Sequence, residues 1–332
     1  MFEGKIILIT GGTGSLGQAL TKRLLTLDVK SIRIFSRNES KQIEMENNFD
    51  DKRIRYFLGD IRDLDRLSRA TEDVDIVFHA AAIKHVPKIE YNPFEAIKTN
   101  VIGSQNVIEA CINANVEKAI CVGTDKAVSP LNTYGATKLL MEKLFVTANN
   151  YLNKKRHKTK FIALRYGNVL GSSGSVIPLF INQIKNKQKI TITDPKMTRF
   201  SITMDEALDF ILESTLIGKG SEIFVPKLRS YEIEGVKDAL FEMIGKVEVE
   251  HIGIRSGEKL HETLINENEL INTFELDNKF MILKTDTIKE NLNLYDSIKK
   301  SDINKIYSSD SVEKISKEEL KKIISKEMNQ IL

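Results

Sequence analysis

Residues 5–10 carry an apolar run, Ile-Ile-Leu-Ile between a lysine and a threonine, that meets Gly11-Gly12-Thr13-Gly14-Ser15-Leu16-Gly17. A helical pattern with Ala19, Leu20, Leu24 and Leu25 follows at once. A short continuous apolar run bounded by glycines reads as a strand buried on both faces, as in parallel sheets. Strand, glycine turn and helix in this order point to an α/β chain whose first turn can meet a dinucleotide. The glycines at 11, 14 and 17 let the backbone approach a pyrophosphate at a helix N-terminus, where open N–H groups and the helix dipole favour anions. A plain tight turn is the simpler alternative.

The pattern repeats. Residues 31–35, 54–58, 75–79, 118–123 and 161–165 are further apolar runs, with helical stretches between them. This alternation predicts a doubly wound parallel (Rossmann) sheet. The second run ends in Ser36-Arg37-Asn38-Glu39, with Lys41 close behind. An NAD site would place an acid there for the ribose 2′-hydroxyl; Ser36 and Arg37 suit a 2′-phosphate, hence NADP. After the third run, Asp60 reads as an acceptor for an adenine amino group and Asp63 as the cap of the next helix. After the fourth come Ala80, Ala81 and Ala82, small enough for a flat cofactor to pass, then Lys84 and His85. Asn100 lies on an expected helix over 93–114; it orders water or backbone near the cofactor, or sits at a bend.

The chemistry falls in 124–138. Asp125 and Lys126 follow the fifth run directly, and Tyr134 and Lys138 are four residues apart, hence on one helical face. A phenol loses its proton more readily beside an ammonium, and a phenolate beside a nicotinamide can take a proton from an alcohol as hydride leaves the carbon. The loop 166–178 is rich in small residues, with Asn168 at its head. Thr193, Arg199, Arg255 and Glu258 lie in irregular stretches beyond it.

Formal charge is +3 over 332 residues, too little to argue for nucleic acid or a membrane surface. No apolar run nears the roughly 20 residues of a membrane span. The five histidines show no ligand spacing, so no metal is expected. Two cysteines, Cys111 and Cys121, in apolar contexts suit a reducing, cytoplasmic compartment. The NADP-binding domain is expected over 1–170 with 200–226 returning to it. A smaller substrate-binding domain is expected over 171–199 and 227–284. Residues 285–332, rich in Lys, Asn, Ser and Glu, read as a peripheral helical tail without chemistry.

Taken together, GGTGSLG (11–17), FSRNESKQ (35–42), GDIRD (59–63), HAAAIKHVP (79–87), KTNVIGS (98–104), GTDKAVSPLNTYGATK (123–138), RYGNVLGSSGSVIP (165–178), MTRF (197–200) and GIRSGEKLHE (253–262) resemble the extended short-chain dehydrogenase/reductases. Within them the chain is similar to the soluble UDP-N-acetylglucosamine 4,6-dehydratases that invert C5 and open pseudaminic acid synthesis. Asp125-Lys126 is the discriminating pair: dTDP-glucose dehydratases carry Asp-Glu there, and 4-epimerases carry neither. The resemblance implies a cofactor site of Gly11, Thr13, Gly14, Ser15, Leu16, Gly17, Ser36, Arg37, Asn38, Lys41, Asp60, Ile61, Ala80, Ala81, Ala82, Lys84, Asn100, Tyr134 and Lys138. It implies a UDP-sugar held by Lys84, Thr124, Asn168, Thr193, Arg199, Arg255 and Glu258.

The implied reaction is an internal redox cycle. Tyr134 and Lys138 serve C4 oxidation by NADP⁺, Lys126 takes the C5 proton, and Asp125 protonates the departing C6 hydroxyl. Hydride then returns to C6, and C5 is reprotonated on the opposite face. The resemblance also implies a homo-oligomer, a dimer or higher up to a hexamer, through helices around 93–114 and 134–150. A UDP-sugar 4- or 5-epimerase is the competing enzyme, and an NADP-sensing protein without catalysis the competing class.

Overall fold

The computed structural model describes residues 2–331 except 154, 172–174, 286–287 and 289–291. Six strands, β1 (Ile6–Thr10), β2 (Ser31–Ser36), β3 (Ile54–Leu58), β4 (Ile76–His79), β5 (Lys118–Val122) and β6 (Lys160–Leu164), lie side by side in the order 3-2-1-4-5-6. All are parallel, as buried apolar runs joined by helices require. The order reverses between β1 and β4, which opens a crevice at their carboxyl ends. The strand Ile223–Pro226 joins β6 in parallel.

The sheet then departs from the all-parallel expectation. Lys279–Ile282, Thr273–Leu276 and Lys299–Lys300 extend it antiparallel, making ten strands. A parallel edge needs a long crossover for every added strand; a hairpin needs only a turn.

Because strand side chains alternate, the first run feeds two cores. Ile7 and Ile9 pack with Leu20 and Leu24 of α1 (Ser15–Leu25) and with Phe210 and Ile211 of the helix Met204–Ile217. Leu8 faces the other side, with Leu67, Val107, Met141 and Phe145 from three further helices. Free Cys111 and Cys121 are buried in this second core.

A third apolar cluster stands apart from the sheet. Ile177, Phe180 and Ile184 of the helix Val176–Lys185 meet Val236 and Leu240 of the helix Ile233–Met243. Leu320 and Ile324 from the final helix Lys317–Ile331 close it. The segment read as a peripheral tail is therefore packed. Lys299–Lys300 is a sheet strand, Tyr307–Ser308 pairs with Thr263–Ile265, and the buried Ser309 hydroxyl bonds Thr198. Tyr307, Ile315, Leu320 and Ile324 of this segment are buried, while Leu294 and Ile306 stay exposed.

The expected helix over 93–114 forms with a widened middle. Pro93–Ala96 and Gly103–Asn113 are α-helical, and Ile97–Ile102 is a π-helical turn around Asn100. Among the described residues no helix is long and apolar enough to cross a membrane, and no group of three or more His, Cys, Asp and Glu could hold a metal.

Candidate active site

β5 delivers the chemistry. It ends at Val122, the chain turns at Gly123, and the Thr124 hydroxyl caps a single 3₁₀ turn, Asp125–Ala127. Asn132 then caps the helix Thr133–Ala148, its side-chain oxygen accepting from the Gly135 amide at 2.8 Å. Gly135 is the contact point between helix and turn: a Cβ there would overlap the Lys126 carbonyl oxygen. Only glycine lets Tyr134 and Lys138 lie this close to Asp125 and Lys126. Both helix residues are buried.

Asp125 is fully buried. Its Oδ1 accepts from Lys126 Nζ at 3.0 Å and from the Thr124 hydroxyl at 2.9 Å, and its Oδ2 has no hydrogen-bond partner among the described residues. Burial pushes the carboxyl above its ordinary value, against the pull of Lys126 and with the push of the Glu262 charge. Lys126 Nζ also donates to Asn168 Oδ1 at 2.9 Å and lies 3.4 Å from Glu262 Oε1. Burial disfavours its charge, but the Asp125 and Glu262 carboxylates outweigh that and hold the ammonium above its usual range. A protonatable buried acid thus touches a lysine, as an elimination acid and base would.

The redox pair differs in detail from its expected coupling. Burial pushes the Tyr134 phenol up to about 12, and Lys126 is the main opposing charge. Lys138 donates to the Val122 carbonyl oxygen at 2.7 Å, and burial lowers its ammonium to about 8. That bond ties Lys138, and with it the helix, to the end of β5.

Lys126, Asn168, Arg199 and Glu258 line one cavity of about 200 Å³, together with Lys259 and Glu262. Thr124, Thr193, Arg255 and Lys84 do not line it. Arg255 is exposed and pairs with Glu258 at 3.6 Å, and Thr193 follows the strand Ile190–Ile192. Arg199 is tied by Nη1 to the Thr198 and Leu260 carbonyls. Ser172, Ser173 and Gly174 of the small-residue loop lie outside the described residues. A larger cavity of about 470 Å³ lies behind Ala127–Pro130. None of the four residues expected to carry the chemistry lines it.

The expected cofactor residues lie at the carboxyl ends of β1 to β4. Gly11 has φ +71°, and a Cβ on it would sit 2.8 Å from the Ala81 backbone. Gly14 precedes α1 without a side-chain cap, leaving the amides near Ser15, Leu16 and Gly17 open; Thr13 is buried beneath. Ser36 ends β2, Asn38 caps the next helix through the Lys41 amide, and Arg37 is half exposed. Asp60, beside buried Ile61, is engaged by Arg62 through Nε at 2.9 Å and Nη2 at 2.7 Å, with Arg37 at 3.6 Å. Asn100 is fully buried and bonds the Ile83 amide, the Ile83 carbonyl and the Thr137 hydroxyl. It supports the loop after Ala80, Ala81 and Ala82 from the π-helical turn.

Glu262 was missed as a site residue. It lies inside a motif noted in the sequence, but only the fold sets it against Lys126 and Arg199.

A glycine turn and a Tyr-Lys helix meeting at the carboxyl edge of a 3-2-1-4-5-6 sheet define a Rossmann-fold enzyme of the short-chain dehydrogenase/reductase type. Residues 7–284 match the family described as polysaccharide biosynthesis protein. The chain is 49% identical over 284 residues to the inverting UDP-N-acetylglucosamine 4,6-dehydratase of Campylobacter jejuni, covering 85% of this chain and 84% of that one. It is 44% identical over 287 residues to a Rickettsia felis protein named UDP-glucose 4-epimerase, covering 85% and 84%. The solved structure of Pen from Bacillus thuringiensis superposes with a TM-score of 0.91 at 41% identity, covering 100% and 99%. The chain belongs to the polysaccharide biosynthesis protein family, among the enzymes that include the inverting UDP-N-acetylglucosamine 4,6-dehydratases.

Proposed function

We propose that the protein removes water from UDP-N-acetylglucosamine with inversion at C5. The product is UDP-2-acetamido-2,6-dideoxy-β-L-arabino-hex-4-ulose, the first step toward pseudaminic acid, and NADP is the resident cofactor. The carrying observation is the Asp125–Lys126 pair, in contact at 3.0 Å, with Lys126 on the wall of a cavity it shares with Asn168, Arg199 and Glu262.

The residues at 11–17 fit a dinucleotide, since Gly11 keeps the backbone approach open and the N-terminus of α1 offers uncapped amides. Ser36 in place of an acid, with Arg37 and Lys41 beside it, suits a 2′-phosphate. NADP held there would supply a reversible hydride acceptor, serving C4 and then C6 within one turnover.

The protein's own groups move the protons. Tyr134 takes the C4 hydroxyl proton, with Lys138 as its partner on the same helical face. Passing one proton from Lys126 Nζ to Asp125 Oδ1 along their hydrogen bond turns an ion pair into an amine and a carboxylic acid. The amine removes the C5 proton, acidified by the C4 ketone, as the Asp125 acid protonates the departing C6 hydroxyl. Elimination thereby restores the ion pair. Asn168, Arg199 and Glu258 on the cavity wall hold the nucleotide sugar, assisted by Lys84, Thr124, Thr193 and Arg255.

The second reading is a UDP-sugar 4-epimerase, favoured by the name of the Rickettsia felis relative. Incubation with UDP-N-acetylglucosamine and NADP⁺ in D₂O, followed by NMR, separates the two. A 4-keto-6-deoxy sugar with deuterium at C5 and the L-arabino configuration is expected; an unchanged C6 hydroxymethyl group gives the case to the epimerase. The protein acts in the cytoplasm as a homo-oligomer, a dimer or higher, through the helical surface bearing exposed Tyr91, Phe94 and Leu140.

A further inference from the structure

The site holds one more charged group than the reaction names. Glu262 is buried at the foot of the cavity, its Oε1 is 3.4 Å from Lys126 Nζ and 3.7 Å from Arg199 Nε, and its Oε2 has no partner among the described residues. Its backbone is pinned from the last part of the chain: the Ser309 hydroxyl accepts from the Glu262 amide at 2.9 Å, and the Ser309 amide donates to the Glu262 carbonyl at 2.8 Å. An ammonium has three protons to donate. Those of Lys126 face three acceptors, Asp125 Oδ1, Asn168 Oδ1 and Glu262 Oε1.

We propose that Glu262 is a positioning residue for the Asp125–Lys126 pair, a fixed negative charge that orients the Lys126 amine and decides that Asp125 is the carboxyl that carries a proton. This deepens the dehydratase reading and rests on it.

Two carboxylates share Lys126, but they are not equivalent. Burial opposes charge on Glu262, yet Lys126, Arg199 and Lys259 together hold its carboxyl below the ordinary range. On Asp125 the Lys126 charge is the largest pull against its proton, and the Glu262 charge adds to burial in pushing that proton on. The other titratable groups near Lys126 are the Tyr134 and Tyr231 phenols, both raised to about 12 by burial and so neutral in the working range. When Lys126 hands a proton to Asp125, its two remaining N–H bonds still have Asn168 and Glu262 as acceptors. The amine therefore stays held by two hydrogen bonds, and its lone pair opens on the Asp125 side, where the C5 proton and the C6 hydroxyl are to be met together.

The sign of the test follows. Asp125 and Lys126 share the working proton, so they titrate as a pair with two apparent pKa values. Removing a nearby negative charge makes each proton leave more easily, so both limbs of the pH profile move toward acid. Glu262→Gln keeps the shape and an acceptor oxygen for Lys126 while deleting the charge. Dehydration of UDP-N-acetylglucosamine by this variant should show both limbs shifted down by about one pH unit or more, whereas a role in packing alone leaves the profile in place. A superimposable profile overturns the proposal.

A second readout needs no substrate. Competitive acetylation with acetic anhydride across pH, read at the Lys126 peptide by mass spectrometry, gives the midpoint of that amine directly. A lower midpoint in Glu262→Gln than in the parent supports the proposal; equal midpoints overturn it even if the parent proves to be an epimerase. Failure of the parent to form the 4-keto-6-deoxy sugar counts against the dehydratase reading alone. Matching circular dichroism and melting curves establish that both proteins are folded.

Discussion

Lys126 is placed by three acceptors, and removing its amine should cost the elimination without costing the fold. In Lys126→Ala, C5 deuterium incorporation and dehydration should fall by at least about 100-fold, the lower range for a general base, with the circular dichroism spectrum of the folded protein retained. Retention of full activity would end the role given to it. His79 makes a different kind of prediction. It is fully buried, stacked on Phe145, with Nδ1 2.7 Å from the Thr10 hydroxyl and Nε2 2.9 Å from the Ser104 hydroxyl. The Ser104 hydroxyl donates to the Asn100 carbonyl, so Nε2 carries the proton and Nδ1 accepts from Thr10. Burial, aided by the Lys138 charge, lowers the imidazole to about 3. Between pH 3 and the unfolded value of 6.5, the unfolded chain binds a proton that the native protein does not. This histidine therefore makes stability fall as pH drops through that window, by up to about 1.4 kcal/mol per pH unit. Urea unfolding across that window should show a slope shallower by this amount in His79→Asn; equal slopes would contradict the assignment.

At the level of elements, the site depends on how the helix Thr133–Ala148 is held. Gly135 sets its approach to the 3₁₀ turn, Asn132 caps it, and Arg165 fastens its middle. Arg165, just past β6 and fully buried, bonds Glu142 of that helix at 2.9 and 2.6 Å and Glu269 of the short helix Glu267–Leu270 at 2.9 Å. Removing one partner from such a buried set leaves an uncompensated charge, a loss of about 3–5 kcal/mol. Arg165→Ala should lower the urea midpoint accordingly; an unchanged midpoint would show that water or repacking replaces the arginine. The Tyr-Lys spacing on this helix and the acid-base dipeptide on the turn before it were legible because they are local, and both survive in any α/β chain that forms the turn and the helix. Arg165 reads from sequence only as the end of an apolar strand, since its two acids come from distant segments.

For the whole molecule, the question is what covers the helical surface beside the site. Tyr91, Phe94 and Leu140 are exposed there, on helices that pack against one another. If this surface joins copies of the chain, Phe94→Glu should shift sedimentation toward the monomer; a parent protein that already sediments as a monomer would remove the proposed assembly. The last part of the chain also bears on the whole. Its polar composition reads as solvated, yet Ser309 pins Glu262, and Leu320 and Ile324 complete the third apolar cluster. Composition averages over a segment, whereas packing selects single positions within it.

The strands, the glycine turn, the basic end of β2 and the two chemical pairs in 124–138 were determined by sequence alone. Each is written in residues close enough along the chain for periodicity and local sterics to act. The tertiary structure alone decided the antiparallel edge, the π-helical turn that carries Asn100, and the three-acceptor setting of Lys126. It also turned Lys138 to the Val122 carbonyl. These rest on contacts between distant segments, and charge, burial and hydrogen-bond partners exist there only after the chain has closed on itself.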